Sequence, residues 1–264
     1  LVCKLFSIKV VARSNSAPAG WSKNKVKKLI FKFFLNLADK VIVNSLQFKK
    51  DLKTELHVNA TCIYNPLNYY EIIKKSKEKS KKIFKNNKQL KILNIGRLTE
   101  QKDQLTFLKA LNLIKKTINF QAIIIGRGKL NNELLKYINK NKLNNCIKII
   151  DFVENPFPLL KQTELFILSS KYEGLPNVLL EALSLKKFII SSNCPTGPKE
   201  ILLNGKGGLL FKVGDHKQLA KEIHYYLNNK KKCRILLKYS MQNMKRFDYK
   251  KNMEKYLSLL KKFI

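Results

Sequence analysis

The second half of the chain alternates between short apolar runs and longer segments whose apolar residues repeat at helical spacing. The runs predict strands, and the longer segments predict helices. Strands that alternate with helices form a parallel sheet with helices on both faces, so we expect a doubly wound, Rossmann-like α/β domain from residue 90 onward. Its predicted strands are 91–95, 120–125, 146–150, 164–168, 187–191 and 208–211, and its predicted helices are 100–117, 130–140, 156–162, 176–186, 197–203, 215–229, 231–245 and 249–263.

Residues 1–66 show a shorter stretch of the same alternation, which predicts the last part of a second α/β domain. The expected strands are 5–12, 40–43 and 60–64, and the expected helices are 25–38 and 45–56. The helix at 25–38 has a Lys-rich face, which is typical of a helix packed on a sheet, our preferred interpretation, and also of a helix on a membrane surface. Residues 74–89 have few apolar residues and predict a linker. Since the chain starts with Leu and with strand-like sequence, we expect its N-terminal part to be missing.

Lysine dominates the charged residues, and the 264 residues carry a formal net charge of +35. Such a charge is typical of nucleic-acid-binding proteins and would also attract an anionic membrane. The lysines are spread along the whole chain without a recognisable nucleic-acid motif, so we favour a general compositional bias as the cause. The five cysteines are scattered and odd in number, and neither Cys-x-x-Cys nor Asp-x-Asp occurs. This pattern predicts a reduced, cytoplasmic protein without a metal site.

Two acidic residues flank the start of the predicted helix 176–186. Glu173 lies just before it, beside backbone N–H groups that have no partner in the helix. Glu181 lies in its second turn, although this helix is apolar almost all round. A carboxylate there is costly unless something hydrogen-bonds it, which points to a ligand site at the helix start. Alternatively, Glu173 is an ordinary acid near a positive helix end, and Glu181 pairs with a buried lysine.

Basic residues follow the first strand of the predicted C-terminal domain. Ligands of doubly wound sheets bind beyond the carboxyl ends of the strands. Gly96 and Arg97 lie at such an end, and Lys102 is expected in the first turn of the next helix. These cations indicate an anionic ligand such as a phosphate. The other interpretation is that they pair on the surface with Glu100 and Asp103.

Three further loops lie at the same predicted sheet edge. Gly126-x-Gly128 resembles the start of a dinucleotide-binding loop, but residue 131 is Asn rather than the third Gly. Asp151 follows the next strand, where an acid can bind a ribose. An NAD(P)-dependent reductase therefore stays open as an alternative. Gly197 belongs to a rigid, proline-containing turn before a helix.

In this order the motifs resemble glycosyltransferase family 4, whose members have the GT-B fold, use nucleotide-sugar donors and retain the configuration of the transferred sugar. The resemblance runs through residues 91–228 and more weakly through 8–66. It rests on Gly96-Arg97-Leu98 with Gln101-Lys102, Gly126-x-Gly128, Asn155-Pro156, Glu173-Gly174 with Glu181 eight positions on, and Cys194-Pro195-x-Gly197-Pro198-x-Glu200.

The resemblance implies a domain organisation and a role for each part of the chain. Residues 1–73 would be the remainder of an acceptor-side domain, 74–89 the linker, 90–245 the donor-binding domain and 246–264 a helix that crosses back. Arg97 and Lys102 would bind the diphosphate. Glu173, as the catalytic residue, would contact the sugar hydroxyls. The other implied donor-site residues are Gly174 and Leu175 through their backbone, Glu181 on the ribose, and the loops at Gly96, Gly126, Asp151 and Gly197.

The expected function is therefore that of a hexosyltransferase. It would transfer a sugar from a UDP- or GDP-sugar to a lipid-linked or oligosaccharide precursor of lipopolysaccharide, capsule or exopolysaccharide, without a metal or cofactor. The expected location is the cytoplasm, with the inner face of the plasma membrane as a candidate surface. The rivals are the reductase, a basic nucleic-acid-binding protein, and an inactive remnant that still binds the donor.

Overall fold

The computed structural model describes residues 2–15, 24–84 and 88–263. Within these ranges the chain forms two β-sheets, one of three strands and one of six, and every strand pair is parallel. Helices connect the strands. The expected α/β class with a doubly wound parallel sheet is confirmed.

The first sheet has the order β1-β2-β3. Its strands are β1 (Val11–Ser14), β2 (Lys40–Val43) and β3 (Thr61–Cys62), and its helices are α1 (Val2–Leu5), α2 (Lys25–Asn36) and α3 (Leu46–Leu56). Helix α3 begins where the Ser45 hydroxyl accepts the Phe48 N–H at 3.1 Å, and it ends at His57 in the left-handed conformation.

The predicted strand 5–12 is wrong over its first half. Helix α1 ends at Leu5, and β1 begins only at Val11, which pairs with Lys40, the first residue of β2. Among the described residues, none before Val11 is paired in a strand, and Leu5 and Phe6 are exposed. An apolar run becomes a strand only where a neighbouring strand accepts its hydrogen bonds.

A short helix, α4 (Tyr69–Lys75), follows the first sheet. Its start is fixed by Asn68, whose side chain accepts the Glu71 N–H at 3.1 Å. The helix extends two residues into the range 74–89 that was predicted as a linker.

The six-stranded sheet has the order β6-β5-β4-β7-β8-β9. Strand order therefore reverses between β4 and β7, which places a crevice at their carboxyl ends. The strands are β4 (Leu90–Ile95), β5 (Phe120–Ile125), β6 (Ile147–Ile150), β7 (Leu165–Leu168), β8 (Phe188–Ser192) and β9 (Leu209–Phe211). The helices are α5 (Gln104–Ile114), α6 (Asn131–Lys140), α7 (Phe157–Lys161), α8 (Asn177–Ser184), α9 (Gly197–Ile201), α10 (His216–Asn228), α11 (Lys230–Gln242) and α12 (Tyr249–Leu260), with 3₁₀ turns at Leu203–Gly205 and Asn243–Phe247.

Apolar side chains fill both faces of this sheet. One cluster includes Phe107, Leu111 and Ile124, and the other includes Leu93, Phe166, Leu179 and Phe247. The last helix, α12, packs on the first sheet instead, where Leu259 contacts the cluster of Ile42 and Ile63. Within the described residues, no helix combines the length and the apolarity that a membrane crossing requires.

Helix α5 begins at Gln104, four residues later than predicted. Its cap is Asp103, whose backbone is left-handed (φ +47°) and whose carboxylate accepts the Thr106 N–H at 3.4 Å and the Thr106 hydroxyl at 2.7 Å. Lys102 lies in the preceding turn, where its N–H donates to the Thr99 carbonyl at 3.0 Å. The expectation that Lys102 lies in the first helical turn is therefore wrong.

Candidate functional site

The loops that follow β4 and β7 meet at the point where the strand order reverses. The Asn94 side chain in β4 donates to the Ile167 carbonyl of β7 at 2.8 Å. Beyond the strands, the Lys171 N–H donates to the Gln101 carbonyl at 2.7 Å, and the Gln101 side chain donates to the Tyr172 carbonyl at 3.0 Å. These bonds fix the two loops against each other.

An ion pair joins the two loops. Lys102 Nζ lies 2.6 Å from Glu173 Oε1, and the Ser170 hydroxyl donates to the same oxygen at 2.6 Å. Their side chains are only 17% and 8% exposed, so water competes weakly for the pair. The Ser169 hydroxyl also donates to the Lys102 carbonyl at 2.9 Å. A charged, pre-positioned pair of this kind can bind both an anion and a hydroxyl group.

The ion pair borders a cavity of about 690 Å³ between the two sheets, which we call the interdomain cleft. This volume is in the range of small-molecule sites. Five of the predicted site residues line it together: Arg97, Lys102, Glu173, Gly174 and Leu175. The remaining lining residues are Arg13, Asn15, Asn44, Asn65, Pro66, Gln101 and Asn177.

Gly174 stands where three segments approach within contact distance. A Cβ at this position would lie 1.7 Å from the Asn15 carbonyl oxygen. On its other side, the Gly197 N–H donates to the Gly174 carbonyl at 2.7 Å, and a Cβ on Gly197 would lie 2.1 Å from that oxygen. The close approach therefore requires glycine at both positions. Gly197 supports the wall of the cleft without lining it.

Gly96 and Gly126 also pack backbone against backbone. A Cβ on Gly126, whose φ is +153°, would lie 2.0 Å from the Gly96 carbonyl oxygen. Gly96 in turn leaves room for the aliphatic stem of Lys102, whose Cδ would be 3.3 Å from an added Cβ. Gly126 and Asp151 line a different cavity of about 430 Å³. The structure thus does not bring these two residues to the ion pair.

Glu181 lies on α8 and does not line the interdomain cleft. Burial raises the pKa of its carboxyl to about 7. Among the residues that the structure describes, none forms a hydrogen bond or ion pair with this carboxylate, so the alternative of a buried lysine partner finds no support. Glu181 is a partly buried acid that, among the described residues, still lacks the compensating contact expected from the sequence.

Sequence reasoning missed the contributions of Ser170 and of two asparagines, Asn44 and Asn65. Asn44 directly follows β2, and Asn65 follows β3 closely. The rule that ligands bind at the carboxyl ends of parallel strands would have found both, had it been applied to the first sheet as it was to the second.

Comparison with known proteins identifies the family of this chain. Residues 75–243 match the model of the family described as glycosyl transferases group 1. An uncharacterised glycosyltransferase of Methanocaldococcus jannaschii is 39% identical over 187 residues, which are 68% of this chain and 46% of that protein. The N-acetylgalactosamine-N,N'-diacetylbacillosaminyl-diphospho-undecaprenol 4-alpha-N-acetylgalactosaminyltransferase of Campylobacter jejuni is 24% identical over 258 residues, 94% of this chain and 69% of that protein.

Among solved structures, Anabaena HepE in complex with UDP-glucose superimposes with a TM-score of 0.82 at 18% identity, over 98% of this chain and 74% of HepE. This likeness shows the GT-B type of fold. The chain spans somewhat less than half of the Methanocaldococcus relative and about two thirds of the Campylobacter relative. Because the family model matches well over half of its residues, the chain belongs to the group 1 glycosyl transferases.

Proposed function

We propose that this chain binds a UDP- or GDP-sugar in the interdomain cleft and transfers the sugar, with retention of configuration and without a metal, to a cell-surface glycan precursor. The observation that carries the proposal is the convergence of Arg97, Lys102 and Glu173 on one cavity at the strand-order reversal. This is the position at which doubly wound sheets bind nucleotides.

Residues of the second sheet and its loops make the donor contacts in this proposal. Arg97 and Lys102 bind the donor diphosphate and stabilise the charge that grows on the departing nucleotide. Glu173, whose carboxylate is held by Lys102 and Ser170, accepts hydrogen bonds from the sugar hydroxyls. Glu181 on α8 accepts hydrogen bonds from the ribose hydroxyls of the donor, which would satisfy its partly buried carboxylate.

The relatives support the donor and acceptor classes. HepE was crystallised with UDP-glucose, and the name of the Campylobacter enzyme gives a diphospho-undecaprenol acceptor. A capsular polysaccharide biosynthesis glycosyltransferase of Staphylococcus aureus is 30% identical over 65% of this chain. We therefore propose a lipid-linked or oligosaccharide precursor of lipopolysaccharide, capsule or exopolysaccharide as the acceptor, handled in the cytoplasm at an anionic membrane face that the net charge of +35 would attract.

The donor site can be tested by thermal unfolding with UDP, GDP, ADP or NADH, each with and without EDTA. We expect UDP or GDP to raise Tm by several degrees when present at about 100 times its Kd, since binding then adds about 2.7 kcal/mol of stability. EDTA should not change the shift. Lys102→Ala and Glu181→Ala should remove it.

Lys129→Ala is the matched control, because Lys129 forms an exposed ion pair with Glu100 (3.0 Å) and does not line the interdomain cleft. It should leave the UDP shift unchanged. A response to NADH alone, or a UDP response that EDTA abolishes, would contradict the proposed site. Binding to DNA with a steep salt dependence, and no nucleotide response, would favour the nucleic-acid alternative.

A further inference from the structure

The first sheet supplies its own residues to the interdomain cleft. Arg13 lies in β1, Asn44 directly follows β2 and Asn65 lies shortly after β3, so all three occupy the carboxyl edge of this sheet. All three line the cleft together with Lys102 and Glu173 of the second sheet. The donor contacts proposed above use the second sheet and leave these residues without a ligand.

Contacts with Asn65 and Tyr256 hold the Arg13 side chain in position without neutralising its positive charge. Its Nη2 donates to Asn65 Oδ1 at 2.9 Å, and its guanidinium carbon lies 5.5 Å from the centre of the Tyr256 ring. Among the described residues, no carboxylate forms an ion pair with Arg13. A guanidinium has five N–H donors, so the bond to Asn65 leaves most of them available. The fork of these donors matches the oxygens of a phosphate.

Asn44 provides a second, independent observation. Its side chain is almost fully buried, with 2% of the residue exposed, and its Oδ1 finds no hydrogen-bond partner among the described residues. Asn44 nevertheless lines the cleft. Buried amide oxygens in folded proteins are nearly always hydrogen-bonded. A hydroxyl group of a ligand in the cleft would supply the missing donor.

Basic residues outnumber acidic residues among those that line the cleft. Arg13, Arg97 and Lys102 are basic, whereas Glu173 is the one acidic residue among those that line it, and it already pairs with Lys102. A donor diphosphate next to Arg97 and Lys102 offsets the charge on the second sheet. Arg13, on the first sheet, then remains unneutralised beside the space into which the acceptor must come.

We propose that Arg13 binds a phosphate group of the acceptor and that Asn44 accepts a hydrogen bond from an acceptor hydroxyl. The protein would thus select acceptors whose sugar is carried on a phosphate or diphosphate, whether this is a lipid-linked sugar or a soluble sugar phosphate. The assignment rests on the proposed transferase function, because it takes the second ligand of the cleft to be an acceptor.

The test measures binding of matched probes by calorimetry. Glucose 1-phosphate, methyl α-glucoside and inorganic pyrophosphate are titrated separately into the protein, with and without saturating UDP. The variants are Arg13→Gln, Arg13→Lys and Arg234→Gln. Arg234 is the control, since it is an exposed arginine on α11 and does not line the cleft.

We expect glucose 1-phosphate to bind about tenfold to a hundredfold more tightly than the methyl glucoside, as charge-assisted hydrogen bonds to one phosphate allow. Arg13→Gln should remove this preference, Arg13→Lys should keep part of it, and Arg234→Gln should keep all of it. UDP affinity should change less than twofold in each variant, which also shows that the variants fold.

Two results would overturn the assignment. One is equal binding of the phosphate and the glucoside by the unaltered protein. The other is a loss of UDP affinity in Arg13→Gln as large as its loss of phosphate affinity, which would place Arg13 in the donor site. Failure of the unaltered protein to bind UDP at all would instead contradict the proposed function, and the phosphate titration without UDP separates the two cases. A lipid-linked source is distinguished by farnesyl diphosphate binding more tightly than pyrophosphate.

Discussion

Glu181 shows how one partly buried acid links stability to pH. Its pKa is raised by burial to about 7, against 4.5 for an ordinary Glu. Between these two pH values the folded protein keeps the proton while the unfolded chain has lost it, so the free energy of unfolding falls as the pH rises through this window. Above it, the penalty is on the order of 3 kcal/mol.

We therefore expect Glu181→Gln to be more stable than the unaltered protein at pH 8, by about 2–3 kcal/mol, and of similar stability near pH 4.5. Urea denaturation at the two pH values measures the difference. A substitution that destabilises the protein equally at both would show that the carboxylate has a partner in the folded state. Glu133→Gln, at an exposed acid on α6, serves as the control.

At the scale of the element, the start of α5 depends on Asp103. This residue caps the helix through Thr106 and has a left-handed backbone, which Asn and Asp tolerate better than Ala does. We expect Asp103→Ala to lower the free energy of unfolding by about 1–2 kcal/mol, and Asp103→Asn to lower it much less.

Thermal or urea unfolding of the two variants tests the cap. Because the turn before the helix also holds Lys102, we expect Asp103→Ala to weaken UDP binding as well. Equal stability of the Ala and Asn variants would mean that the cap contributes little.

The strands of the second sheet were predictable to within one residue. Each is an apolar run bounded by polar turn residues, and parallel strands buried on both faces have this pattern. The beginning of α5 was not predictable. Thr99 and Asp103 are both good N-cap residues, and only the conformation of the turn between them decides at which one the helix begins. The exposure of Leu5, Phe6 and Ile8 was not predictable, because a local apolar pattern contains no information about whether a neighbouring strand exists.

The ion pair of the site was predictable only in part. The acids and bases follow strands, so their location at one sheet edge could be predicted from order alone. The length and path of each loop decide the rest. They determine that Lys102 pairs with Glu173 and that Gly126 lies at a separate cavity. The wall made by Asn44 and Asn65 depends on how the two sheets are placed relative to each other.

At the scale of the whole molecule, Glu200 joins the two sheets. Its carboxylate accepts the Leu46 and Gln47 N–H groups at the start of α3, at 3.1 and 3.2 Å, and the Tyr64 hydroxyl at 2.6 Å. Burial, together with the Glu200 carboxylate, raises the pKa of Tyr64, so the hydroxyl remains a donor.

We expect Glu200→Ala to loosen the contact between the two sheets, because three donors lose their acceptor at once. Small-angle scattering should show a larger radius of gyration, and Tm should fall by several degrees. Glu55→Ala is the control, since among the described residues Glu55 forms its ion pair with Lys28 of the same sheet unit, at 2.7 Å. An unchanged radius of gyration would mean that the remaining contacts are sufficient to hold the two sheets.

The ion pair of Lys102 and Glu173 has one more consequence for a protein of such high positive charge. A cleft in which the lysine already pairs with a carboxylate should bind free phosphate or sulfate weakly, because the incoming anion must first displace a carboxylate that is attached to the chain. A ligand that also has hydroxyl groups can donate hydrogen bonds to the displaced Glu173 carboxylate, which compensates for the loss of its ion pair with Lys102. We therefore expect phosphate or sulfate alone to bind more weakly than an anion that also carries sugar hydroxyl groups.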